Sequence, residues 1–169
     1  MAKRDLTALC TFARKHGALH AKVIEPTSVI ASPWVRLKCQ FGCDGYGECL
    51  TCPPYSPPPE QTRSVLDSYQ HGILVHSGDH VDISRLAYQV ERTAFLSGFY
   101  KAFGLGSGPC RLCRRCDVTQ QCKYGMEARP SMEAAGIDVF QTVRDNGFSI
   151  EVLTSHQCRA NYFGLVLVD

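Results

Sequence analysis

Gly108-Pro109-Cys110-Arg111-Leu112-Cys113-Arg114-Arg115-Cys116, closed by Cys122 six residues later, is the stretch around which the rest of the chain is organised. Three cysteines two residues apart, with a fourth close behind, wrap the backbone around a metal centre. A counterpart lies upstream, Cys39-x3-Cys43-x5-Cys49-x2-Cys52-Pro53-Pro54. The two blocks take eight of the ten cysteines, and the remaining chain is expected to be scaffold that holds them. A disulfide framework suits this sequence poorly. Such scaffolds are short, secreted and poor in core, and near-neighbour cysteines seldom reach good disulfide geometry with one another.

With 169 residues the chain reads as a single domain, 1–169, long enough to build a core. No segment approaches the roughly eighteen apolar residues of a membrane span. Met1-Ala2-Lys3-Arg4-Asp5 leads into a polar helix with no hydrophobic signal region, which predicts a cytoplasmic, reducing location. A formal net charge of +2 gives no reason to expect a nucleic-acid or membrane surface.

Working outward, residues 5–17 have helical spacing of Leu6, Leu9, Cys10 and Ala13, ending at Gly17. Cys10 falls on the apolar side, where a lone cysteine is a small core hydrophobe. Residues 18–25 predict a strand stopped by Pro26. Trp34, the only tryptophan, precedes Cys39 by five residues, and is expected to be a core anchor, a wall shielding a cluster from water, or both. Gly42, Gly45 and Gly47 let backbone N–H groups turn toward anionic sulfur. Pro53 to Pro59 is expected to run extended over the surface as a rigid lid beside Cys52.

Residues 60–69 predict a helix and 72–76 a buried strand. The longest helix is expected over 82–103, its apolar face running from Ile83 through Val90 and Ala94 to Phe95, Phe99 and Phe103. Gly104-x-Gly106-x-Gly108 lacks the glycine placement and the strand–helix context of a dinucleotide fingerprint, and reads as a flexible stop. Pro130 is expected to open a short helix ending at Gly136. Asp138 and Gln141 have the spacing of a helix N-terminus, with Gly147 at the other end. Strands are expected at 149–153 and, most clearly, at Tyr162–Val168. This pattern predicts an α/β or α+β fold: a small central sheet with flanking helices and two cysteine-rich, cluster-binding loops.

Thiolates select zinc, iron–sulfur clusters or copper(I). Cys110-x2-Cys113-x2-Cys116 reproduces the first three ligands of the bacterial ferredoxin spacing, which reaches three corners of a cubane. The fourth ferredoxin cysteine comes three residues later and precedes proline, whereas Cys122 follows after five residues and it is Cys52 that precedes proline. The blocks are therefore either self-contained or exchange ligands. The expected ligands are Cys39, Cys43, Cys49, Cys52, Cys110, Cys113, Cys116 and Cys122, holding two [4Fe-4S] clusters. Structural zinc is the alternative, and one larger cluster on all eight is a further arrangement. Arg111, Arg114, Arg115 and Lys123, against Asp117, would ease the burden of an anionic cluster or offer a docking surface to an acidic redox partner.

No metalloprotease helix, nucleophile elbow or phosphate loop is present. His71, His76 and His80 fit surface or core roles better than ligation, and His156 and Cys158 read as an incidental pair.

Trp34-Val35-Arg36-Leu37-Lys38-Cys39, Cys49-x2-Cys52-Pro53-Pro54-Tyr55, Cys110-Arg111-Leu112-Cys113, Ala128 to Ala134, Gly136-Ile137-Asp138 and the Tyr162–Val168 ending carry a resemblance over nearly the whole chain. The sequence resembles an uncharacterised prokaryotic family of predicted metal-binding proteins, a cysteine-rich domain of unknown function. The resemblance implies a metal site at the eight block cysteines in anaerobic prokaryotes and supplies no reaction. Cys10 and Cys158 have no clear place in it. Three functions remain, in order of preference: an electron carrier for a partner enzyme, a cluster-dependent reductive enzyme with an open-site cluster, and a zinc-stabilised interaction module.

Overall fold

The computed structural model describes residues 5–155 and 157–169. At its centre is a four-stranded sheet, wholly antiparallel, of β1 (His20–Ile24), β2 (Gly72–Ser77), β3 (Phe103–Leu105) and β4 (Tyr162–Leu167) in the order β1-β2-β4-β3. The fold is α+β. Alternation along the strands splits the core in two. Ile73, Val75 and Val166 point to one face, under α1 (Leu6–Lys15) and α4 (Ile83–Leu96). Leu74, Leu165 and Leu167 point to the other, where Met132 and Ile137, which precede α5 (Val139–Asp145), and Val143 on it cover them. Two further helices, α2 (Trp34–Gly42) and α3 (Pro59–Leu66), lie between β1 and β2.

Helix ends follow local chemistry. Asp5, Asp82 and Asp138 each cap a helix, accepting backbone N–H groups of α1, α4 and α5. The same three helices close on a glycine at positive φ, Gly17, Gly98 and Gly147. In each, the next residue's N–H reaches back five residues, as in Phe99 to Ala94 at 3.1 Å.

Four expectations need correction. Helix α4 stops at Leu96, and Phe103 opens a strand paired with Leu167. The apolar spacing outruns the helix because Phe99 folds back into the core after Gly98. Gly104 and Gly106 are no flexible stop. They let β3 lie directly on α4: a Cβ on Gly104 would sit 3.1 Å from the Ala87 carbonyl, and one on Gly106 2.7 Å from the Ser84 Cα. Residues 130–136 form turns in place of a helix. Their carbonyls are taken elsewhere, Pro130 by Gly106 N–H at 2.9 Å, Ala134 by the Ser56 hydroxyl at 2.5 Å and Ala135 by the Thr62 hydroxyl at 2.6 Å. Residues 149–153 pair with no strand. No helix among the described residues is long and apolar enough to cross a membrane.

Candidate metal centre

The first cysteine block begins on α2. That helix turns Val35, Arg36 and Cys39 inward and leaves Trp34, Leu37 and Phe41 exposed. Trp34 is 46% exposed, so it is no core anchor. Cys43 sits at the helix C-cap, and the chain then turns through Gly45, whose N–H donates to the Cys43 sulfur at 3.4 Å. Of the three glycines expected to aim N–H groups at sulfur, Gly45 is the one that does. The backbone N–H groups of Tyr55 and Ser56 both return to the Cys52 carbonyl, at 2.9 and 3.1 Å. Pro53-Pro54-Tyr55 is thus a tight turn with Pro53 and Ser56 buried, and not an extended surface run. Pro59 starts α3, where a proline's missing N–H is harmless.

The second block rides on an irregular loop stapled to α4 at both ends. At its start, the Ser84 hydroxyl donates to the Ser107 carbonyl (3.1 Å) and accepts from the Ser107 N–H (3.2 Å). At its end, Arg129 forms a two-pronged, largely buried ion pair with Glu91, at 2.5 and 2.6 Å. Glu91 also accepts the Gly104 N–H at 2.7 Å, tying β3 to the same point. Between the staples, Cys110, Cys113, Cys116 and Cys122 line a cavity of about 220 Å³, with Arg114, Arg115 and Tyr124 on its rim.

A fifth thiol lines that cavity, and it comes from the other block. Cys49 belongs to the cavity wall, with its sulfur 3.9 Å from the Cys110 carbonyl, and it interacts with both the Cys52 and the Cys116 thiols. Cys52 in turn neighbours Cys43 and Cys39. All eight block cysteines therefore form one continuous patch, joined through Cys49. A family profile described as "Predicted metal-binding protein (DUF2284)" matches residues 22–168. The chain belongs to that family. Searches of curated proteins and of solved structures return no match.

Four thiols of this predicted metal-binding protein, Cys39, Cys49, Cys52 and Cys110, resist ionisation without a cation. Burial, then the neighbouring sulfurs, pushes Cys39 and Cys49 up, and Cys52 to about 11. Cys110 rises mainly through burial. A bound metal inverts that logic, because a coordinated thiol gives up its proton. Among the described residues, no three His, Cys, Asp or Glu side chains converge closely enough to hold one ion; the sulfurs are ranged around a space.

The remaining candidates lie elsewhere. Cys10 is buried in the α1 core, as expected of a small hydrophobe. His71 pairs with Asp169 at 2.8 Å. His76 bonds Asn161 at 2.8 Å and His20 at 3.1 Å, and stacks on Phe163. Cys158 is exposed, and His156 lies outside the described residues. Sequence reasoning missed the Glu91–Arg129 staple. Its one local signal was a carboxylate on the buried face of α4, where nothing but a partner cation makes sense.

Proposed function

We propose that this chain is an iron–sulfur protein of a reducing, cytoplasmic compartment. It holds two [4Fe-4S] clusters on its eight block cysteines and passes electrons to or from a partner protein. The observation that carries this reading is the cavity walled by five thiols, with the other three cysteines adjoining it through Cys49. A single zinc bonded at about 2.3 Å to each sulfur calls for thiols gathered on one point. Thiols spread around a space suit a polynuclear core whose metal atoms each take a separate ligand.

A cubane supplies reversible redox chemistry when bound. The chain's own residues would do the rest. Arg114 and Arg115 bring positive charge to an anionic core, and Leu112 and Tyr124 restrict water at the cavity. Trp34, Leu37 and Phe41 form an exposed apolar stripe on the helix that carries Cys39, a surface suited to a partner docking close to the metal.

One observation favours a reductive enzyme as the second reading. A cleft of about 790 Å³ opens beside Cys110, between the start of α4 and the second loop, with Arg85, Tyr88 and Arg111 among its walls. A substrate bound there would lie against the cysteine loop.

The deciding measurement is iron, sulfide and zinc content of anaerobically purified protein, with its visible and paramagnetic resonance spectra. About eight irons with cubane spectra are expected from two such clusters. Cys113→Ser should remove or disturb one cluster; unchanged iron and an unchanged spectrum would sink the ligand assignment. Zinc alone after anaerobic handling would leave the interaction module. A resonance signal shifted by small organic acids would move the reading to the enzyme.

A further inference from the structure

Outside the cysteine patch, two histidines meet across the first pair of strands. His20 and His76 sit opposite one another on β1 and β2, and their Nδ1 atoms are 3.1 Å apart. The ring planes are within 7° of parallel and the centroids are 5.4 Å apart. That separation is the Nδ1–Nδ1 distance plus the two ring radii. The rings therefore lie side by side in nearly one plane and point at each other head to head, within hydrogen-bond range. Such a bond holds one proton: one Nδ1 donates it and the other accepts it.

The surroundings decide which ring does which. The Asn161 side-chain carbonyl oxygen lies 2.8 Å from His76 Nε2, so that nitrogen carries a proton and the neutral ring keeps Nδ1 as its acceptor. His20 Nδ1 is then the donor, and a further proton on its Nε2 leaves the bond intact. A second added proton has no such place. It must go on His76 Nδ1, the lone pair that holds the bond. The charged groups on the elements that meet the pair are Lys22 on β1, Asp79 beyond β2, Glu151 beyond α5 and Arg159 before β4. Lys22 shares the face of His20 and donates to the Asn146 carbonyl at 2.6 Å, while Glu151 pairs with Arg144 at 3.7 Å. Among the described residues no carboxylate forms an ion pair with His20 or His76. Two positive rings would face each other uncompensated.

We propose that His20 and His76 form an acid-sensitive latch, closed while the pair carries at most one added proton and opened by the second. The latch holds the irregular chain after α5 against the sheet. Phe148 packs on both rings, at 6.0 Å from His20 and 6.1 Å from His76, and Asn161 ties the approach to β4 to the same point. The hold is complete in the neutral and singly charged pair and is lost as pH falls, because histidine is the side chain that gains charge between about pH 8 and 5. The inference stands apart from the metal reading and uses none of the cysteines.

The test uses the full chain, purified without oxygen and isotopically labelled at the histidine nitrogens. Magnetic resonance at about pH 8 is expected to show His76 protonated at Nε2, His20 protonated at Nδ1, and a scalar coupling between the two Nδ1 atoms. At about pH 5 the coupling should vanish. Amide exchange over 148–155, corrected for its intrinsic pH dependence, should rise at least about fivefold in the same step. His20→Phe and His76→Phe keep a ring at each position and cannot titrate, so either should remove that rise. Both variants retain every cysteine, which separates the latch from acid-driven loss of metal. Absence of the coupling at the higher pH overturns the proposal, as does its survival when both rings are fully protonated. A rise in exchange as large in the two variants as in wild type places the sensitivity elsewhere and also overturns it. If acid leaves wild-type exchange over 148–155 unchanged, the pair shares a proton but latches nothing, and the proposal fails.

Discussion

Two cysteines outside the blocks show how position decides reactivity. Cys10 is enclosed in the core, and burial pushes its thiol up. Cys158 is exposed, and hydrogen bonds from Ser155 and Thr154 bring its thiol down to about 7. Near pH 7 roughly half of such a thiol is thiolate, the reactive form. Iodoacetamide should therefore label Cys158 first, at a rate that climbs through pH 7 and levels off about one unit above, while Cys10 reacts only after unfolding. Peptide mass spectrometry of timed samples checks this; equal labelling of the two would refute it. Cysteine roles were legible from sequence at this scale because ligand spacing is local: Cys110, Cys113 and Cys116 announce themselves within seven residues. Glu91 and Glu133 did not. Glu91 finds Arg129 only 38 positions later, and the Cys39 sulfur meets the backbone carbonyl of Glu133 across 94. No pattern along the chain encodes such meetings.

Among the elements, those with a strong start or stop were readable. Asp138 and Gly147 bracket α5, and Gly17 closes α1, because capping is chemistry between near neighbours. The failures cluster where tertiary contacts choose the backbone. Phe99 and Phe103 continue a helical period although one turns back into the core and the other enters β3. Ser131 to Gly136 has helix-compatible residues whose carbonyls are claimed by Ser56 and Thr62. The Gly104–Gly106 pair belongs to this class: a loop signal in sequence, a close approach of strand to helix in fact. Gly106→Ala would push a methyl group against Ser84, with backbone as well as side chain in the way. The expected loss is about 1–3 kcal/mol or somewhat more, measurable as a lowered urea midpoint. An unchanged midpoint would mean that β3 and α4 separate without penalty. Because Ser84 also holds Ser107, the same substitution should loosen the start of the second cysteine loop.

Over the whole molecule, a sheet with two covered faces supports a cysteine patch made of irregular chain. The patch has few apolar anchors of its own: α2 buries Val35 alone, and the second loop hangs on its two staples. Removing the metal should therefore act unevenly. Hydrogen exchange on chelated protein is expected to show faster exchange over 34–57 and 108–128, with β2 and β4 still protected. Uniform loss of protection would mean instead that the metal holds the sheet together. The sheet also imposes an order on synthesis. Its central partner, β4, follows the other three strands in the chain and, among the described residues, is the only neighbour of β3. A nascent polypeptide leaving the ribosome thus exposes both cysteine blocks and an open edge of β2 before β4 emerges to close the gap. The scaffold seals only once β4 has emerged, so any factor delivering metal to the emerging thiols meets them on an unfinished sheet, whose bare edge is a site for wrong pairing between chains.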